Sequence, residues 1–155
     1  MPGVVTQINV SSGGMPKLPV PQAMITVNGV TGDRQKLLEF HGGPNRAICL
    51  YSEELYEWLR DSCNVNVTAG QIGENFTTRG LDLGTLKPGD RLRVGACVIE
   101  ITKVRVPCSQ LRMWDADLPE LIVGRSGWVA KVTQEGVVQA GDAIEPVACP
   151  TPPAA

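Results

Sequence analysis

Apolar residues in this chain come in short runs that stop at glycine, proline or asparagine, and this punctuation constrains the fold more than any other feature. "VVTQINV" (4–10) and "AMITVNGV" (23–30) are rich in β-branched residues and end at turn formers, as short strands do. Between them, "SSGGMPKLPVPQ" (11–22) has too much glycine and proline for regular structure and predicts a loop. Gly-Asp steps recur at Gly32-Asp33, Gly89-Asp90 and Gly141-Asp142. The last two precede apolar-rich segments, as expected where a tight turn feeds a strand. "RLRVGACVIEITKVRV" (91–106) reads as two strands joined near Gly95-Ala96. In the second, Val98, Glu100, Thr102, Val104 and Val106 share one face, while Cys97, Ile99, Ile101 and Lys103 share the other. Cys97 is therefore expected to face the core. "GWVAKVTQEGVVQAGD" (127–142) predicts a further hairpin turning near Glu135-Gly136.

One helix is clear. In "YSEELYEWLRDS" (51–62), Ser52 is a good N-cap, Glu53 and Glu54 suit the positive end of the dipole, and Leu55 and Leu59 form a buried i, i+4 pair. A shorter helical piece is expected over 109–114, ahead of a loop "DADLPEL" (115–121). Many short strands and few helices predict a mainly β chain, a small barrel or sandwich with one or two short helices.

At 155 residues the chain suits one domain with a real core, expected over 1–147, while the proline-rich 148–155 is expected to be a disordered tail. A net charge of −2 offers no overall attraction to nucleic acid or to an anionic membrane, so any anion site must be a local basic cluster. No apolar run approaches the roughly 20 residues of a membrane span, and "MPGVVTQINV" lacks the pattern of a secretory signal. Cysteines at 49, 63, 97, 108 and 149 are odd in number and widely spaced. With no export signal, they read as free thiols in a cytoplasmic, reducing compartment. One histidine and no CxxC pair argue against a structural zinc site.

Three loop motifs exceed what turn formation alone requires. In "HGGPNR" (41–46), Gly42 and Gly43 let a ligand approach the backbone, while His41 and Arg46 bring donors that suit a phosphate or carboxylate. In "IGENFTTRG" (72–80), Gly73, Glu74 and Asn75 set a carboxylate beside an amide, a pair suited to the edge of a nitrogen heterocycle, with Arg79 following. In "VRVPCSQL" (104–111), Pro107 ends the strand, so that Cys108 emerges at a strand end with Arg105 close enough in sequence to favour its thiolate. Each motif alone also reads as an ordinary turn or an inert cysteine. Trp58, Trp114 and Trp128 read as packing anchors; Arg125 in "VGRSGW" either adds charge to the same pocket or is a solvated turn residue.

Taken together and in order, "HGGPNRAICLYSEELY", "GENFTTRGL", "GDRLRVGACVIEITKVRVPC" and "GRSGW" resemble the MOSC domain family, named for the C-terminal domain of the molybdenum cofactor sulfurase. The resemblance runs from about Thr31 to Val147, and "INVSSGGMPKLPV" looks like the opening of stand-alone bacterial members. It implies a small closed or partly open β-barrel. It also implies binding of the molybdenum cofactor, a molybdenum–pterin group, or transfer of sulfur, with Cys108 as the catalytic residue, either metal ligand or persulfide carrier. Related stand-alone proteins reduce N-hydroxylated compounds. Pyridoxal phosphate is also associated with the family, but in the sulfurase it belongs to a separate aminotransferase-like domain, and it is not expected on this chain. The larger amidoxime-reducing members have an N-terminal extension that this chain lacks, so a separate redox or sulfur-transfer partner is expected.

Within that resemblance, His41, Gly42, Gly43 and Arg46 suit the cofactor's phosphate, and Glu74 and Asn75 its ring edge, with Gly73, Arg79 and Arg105 in the same pocket. Two other functions stay open. One is a non-catalytic cofactor-binding or delivery module; the other is a cysteine hydrolase using Cys108 with His41 as base.

Overall fold

The computed structural model describes residues 3–11, 17–32, 47–107 and 109–147. Seven strands close into a barrel. They are β1 (Gly3–Val10), β5 (Ile48–Ser52), β6 (Phe76–Arg79), β7 (Arg91–Val94), β8 (Cys97–Val104), β9 (Trp128–Gln134) and β11 (Ala143–Val147). Their order around the ring is β11-β7-β8-β9-β5-β6-β1, and β1 returns to β11 through Gly3↔Ile144 and Val4↔Ala143. The β5–β6 pair is parallel and the others are antiparallel. A short strand β2 (Leu18–Val20) extends β1, and β3 (Gln22–Thr26), β4 (Gly29–Val30) and β10 (Gly136–Gln139) form a separate small sheet. The mainly β, barrel-forming class read from the sequence is the observed one.

Alternation explains the inner face. Cys97, Ile99 and Ile101 of β8 point inward with Ile48 and Leu50 of β5, Phe76 of β6 and Ala130 of β9. Burial pushes the Cys97 thiol up to about 12, so it sits in the core as a neutral small hydrophobe. Outside the barrel a second core forms under helix α1 (Glu53–Ser62), where Tyr51, Tyr56, Leu59, Ile72, Leu111 and Leu118 meet. The predicted N-cap is present: Ser52 Oγ accepts from the Leu55 amide at 3.1 Å. Of the expected leucine pair, Leu59 is fully buried and Leu55 half-buried.

Three predicted elements differ. The hairpin at Glu135-Gly136 does not form, because β10 leaves β9 and pairs with β3, Val137 opposite Met24. There the chain passes so close over the β7–β8 turn that a Cβ on Gly136 would stand 2.4 Å from the Ala96 carbonyl oxygen. The proline-rich segment expected as loop contains β2 and the start of β3. Pro19 is tolerated there because β2 lies on the edge and bonds to β1 alone. The loop expected over 115–121 holds a one-turn helix α2 (Leu118–Leu121), with Pro119 in its first turn, where no amide partner is required. The helical piece after residue 108 is a 3₁₀ helix, Ser109–Met113. The tail from 148 to 155 lies outside the described residues.

Candidate functional site

Strands β5 and β8 run out, and β9 begins, at one end of the barrel. Leu50 and Val104 both stand opposite Trp128, and Ser52 stands opposite Thr78 of β6. A cleft of about 540 Å³ opens there, walled by Leu55, Leu81, Val104 and Trp128, with Arg125 on its rim. Its polar wall atoms are fixed by the chain itself. The Trp128 indole N–H donates to the Leu83 carbonyl at 2.8 Å. Glu54 accepts from the Gly80 amide at 2.8 Å, and Asp82 from the Gly84 amide at 2.9 Å.

The segment leading to Cys108 is strapped beside this cleft. The Arg105 amide donates to the Gly127 carbonyl at 3.0 Å, and the Ser126 hydroxyl donates to the Arg105 carbonyl. The Arg105 guanidinium donates to the Ile72 carbonyl at 2.5 Å. Gly127 has φ +84°, and a Cβ there would stand 2.1 Å from the Leu50 carbonyl oxygen, so the strap requires glycine. Arg105 thus ties the approach to Cys108 to both "GRSGW" and the loop before "GENF". Cys108 itself, and His41, Gly42, Gly43 and Arg46, lie outside the described residues.

Gly73, Glu74 and Asn75 are buried. The Glu74 carboxylate accepts from the Tyr56 hydroxyl (2.6 Å), the Thr77 hydroxyl (2.7 Å) and the Gly70 amide (3.1 Å). Tyr56 in turn accepts from the Ile72 amide, and Thr77 from Asn9 Nδ2, so both hydroxyl protons are aimed at Glu74. Burial pushes the Glu74 carboxyl above its ordinary pKa, and these hydrogen bonds oppose the shift. Asn75 Oδ1 accepts from the Cys49 amide at 2.9 Å and stitches the approach of β6 to β5. Both side chains are buried, and neither is among the residues that line this cleft. Arg79 lies on the outer surface, paired with Glu53 at 3.1 Å and with Glu57.

Several contributors carry no signal in the sequence. Tyr56, the partner of Glu74, read only as a helix residue, and Ser126 as part of a turn. The Tyr51 hydroxyl is buried without a hydrogen-bond partner among the described residues. Burial pushes its pKa up, and the nearby charge of Glu74 adds to that, while Arg105 and Arg125 oppose it. Arg125 stacks on Trp58, its guanidinium carbon 4.1 Å from the ring centroid. These contacts join residues too far apart in sequence for any local pattern to reveal them.

A closed, mixed-direction β-barrel with a strapped loop and a cleft at one end defines the class: a small barrel domain. The MOSC domain profile matches residues 38–145, and the chain belongs to the MOSC domain family. It is 34% identical over 131 residues to Protein YiiM of Escherichia coli, covering 80% of this chain and 58% of that protein. It is 30% identical over 138 residues to the uncharacterized protein YflK of Bacillus subtilis, covering 85% and 62%. The chain therefore spans about three fifths of each of these relatives. The crystal structure of YiiM from Geobacillus stearothermophilus superposes with a TM-score of 0.78 at 27% identity, covering 95% of this chain and 76% of that one. Among the described residues no helix is long and apolar enough to cross a membrane.

Proposed function

We propose that this protein binds the molybdenum cofactor at the barrel mouth, with the Cys108 thiolate as metal ligand, and reduces N-hydroxylated compounds with electrons from a separate donor protein. One observation carries the reading: in a chain of the MOSC family, the cleft opens where β8 runs out, and Val104 on its wall begins the strap that leads into Cys108. The described residues suit such a group. A cleft of about 540 Å³ has the size of a small-molecule site. Its apolar walls suit a flat ring, and Arg125 suits an anionic substituent.

The cofactor, when bound, supplies two-electron redox chemistry. The chain does the rest. Arg105, held by Ser126, Gly127 and Ile72, fixes the segment that leads into Cys108. Soft thiolate is the ligand type this metal takes. Residues His41, Gly42, Gly43 and Arg46 belong to this proposal as the phosphate loop. Glu74 and Asn75 enter it as the buried polar pair of the adjoining loop, fixed by their hydrogen bonds. The cytoplasm is the proposed setting, consistent with unbridged thiols at Cys63 and Cys97.

A second reading, Cys108 as a persulfide carrier, is supported by the exposure of neighbouring residues: Val106 is 73% exposed and Ser109 is also at the surface. Metal and pterin analysis of protein from a molybdenum-replete host separates the two. Molybdenum and pterin in the purified protein, with reduction of N-hydroxylated compounds abolished in Cys108→Ser, are expected. Absence of both, with a persulfide mass shift mapped to Cys108, favours the carrier. Bound pterin without turnover, even with an electron donor supplied, leaves a delivery module. Thiol labelling that depends on His41 would point to a hydrolase.

A further inference from the structure

The cleft contains a cation that no carboxylate among the described residues pairs with. Arg125 is the only basic side chain among the described lining residues. Among the described residues its guanidinium joins no ion pair, whereas Arg79, Arg91 and Arg112 each hold a carboxylate. The two acids of the cleft, Glu54 and Asp82, are turned to the amides of Gly80 and Gly84, and neither is within ion-pair distance of the Arg125 guanidinium. Arg125 is nonetheless held in place. One face lies on the Trp58 ring at 4.1 Å, and its amide donates to the Ile122 carbonyl at 2.8 Å.

A guanidinium covered on one face by an indole keeps its N–H edge free and loses little freedom on binding, the arrangement that grips a carboxylate or phosphate through two parallel hydrogen bonds. Around it, Leu55, Leu81, Val104 and Trp128 offer apolar walls, and the Trp128 ring is pinned by its bond to Leu83. We propose that Arg125, seated on Trp58, is an oxyanion-recognition site selecting ligands that carry a carboxylate or phosphate on a flat ring. This deepens the functional reading above by naming a ligand class for the same cleft, and rests on that reading only for the chemistry performed there.

The test is calorimetric titration of the full chain with 2-naphthoate, its neutral counterpart 2-naphthamide, and phenyl phosphate. The two anions are expected to bind about tenfold more tightly than the amide. Arg125→Gln is expected to abolish that preference. Arg125→Lys keeps charge without the fork and retains part of it; Trp58→Leu frees the guanidinium and reduces it several-fold. Equal binding of anion and amide by the native protein overturns the proposal, as does an unchanged preference in Arg125→Gln with circular dichroism reporting an intact fold. The source of the anion is read separately, from protein made in a molybdenum-replete host. Loss of pterin and molybdenum from Arg125→Gln assigns the oxyanion to the cofactor's phosphate; unchanged content with lost preference assigns it to a substrate. If native protein contains neither pterin nor molybdenum yet discriminates anions through Arg125, the redox reading fails and the recognition site stands.

Discussion

At the residue scale, Glu74 shows how far a side chain's role depends on what surrounds it. In sequence it is an acid beside an amide in a glycine loop; in the fold it is fully buried and accepts three hydrogen bonds. Glu74→Ala would leave the donors from Tyr56, Thr77 and Gly70 without a partner, and is expected to cost roughly 3 kcal/mol in urea unfolding. The pH dependence has a defined sign. Burial raises the folded-state pKa above that of the unfolded chain, so the group's contribution is present below the ordinary carboxyl range and is lost as pH rises through the folded value. The native protein should therefore lose stability relative to Glu74→Gln as pH is raised from acid towards neutral, measured by urea midpoints at a series of pH values. The motif was legible in the sequence as unusual. Its inward direction was not, because the hydroxyl of Tyr56 that captures Glu74 lies on a helix whose placement no local pattern reports.

At the scale of elements, helix α1 and strands β7 and β8 could be read closely from sequence, since an N-cap, an acidic first turn and strict alternation are local signals. The exchange of β10 from β9 to β3 was not legible, because strand partners are chosen by a distant surface and not by the turn between neighbours. The strap over Gly127 is the element on which the candidate site depends. Gly127→Ala places a methyl group against the Leu50 carbonyl at a positive φ, and is expected to destabilise by about 3 kcal/mol. Thermal unfolding measures that cost. Limited proteolysis should show earlier cleavage between residues 105 and 113 in the same variant.

At the scale of the whole molecule, closure of the barrel through β1 and β11 removes the free edges of a seven-strand sheet. Strands β5, β8 and β9, bonded along both sides, are expected to give the slowest amide exchange. The edge strands β2 and β4 should exchange first. Hydrogen exchange read by mass spectrometry checks this order; protection in β2 equal to that in β8 would contradict it.

The sequence by itself determined the class of fold, the helix with its cap, the buried state of Cys97 and, through the order of its motifs, the family. Those properties follow from local chemistry: turn residues, side-chain period, capping, and the sequence of short signatures along the chain. Only the tertiary structure decided which strands pair, that Glu74 and Asn75 turn inward, and that Arg125 is held over Trp58 beside the cleft. Each of those depends on contacts between segments distant in the chain, where geometry and burial set the partner and the residue type alone leaves several open.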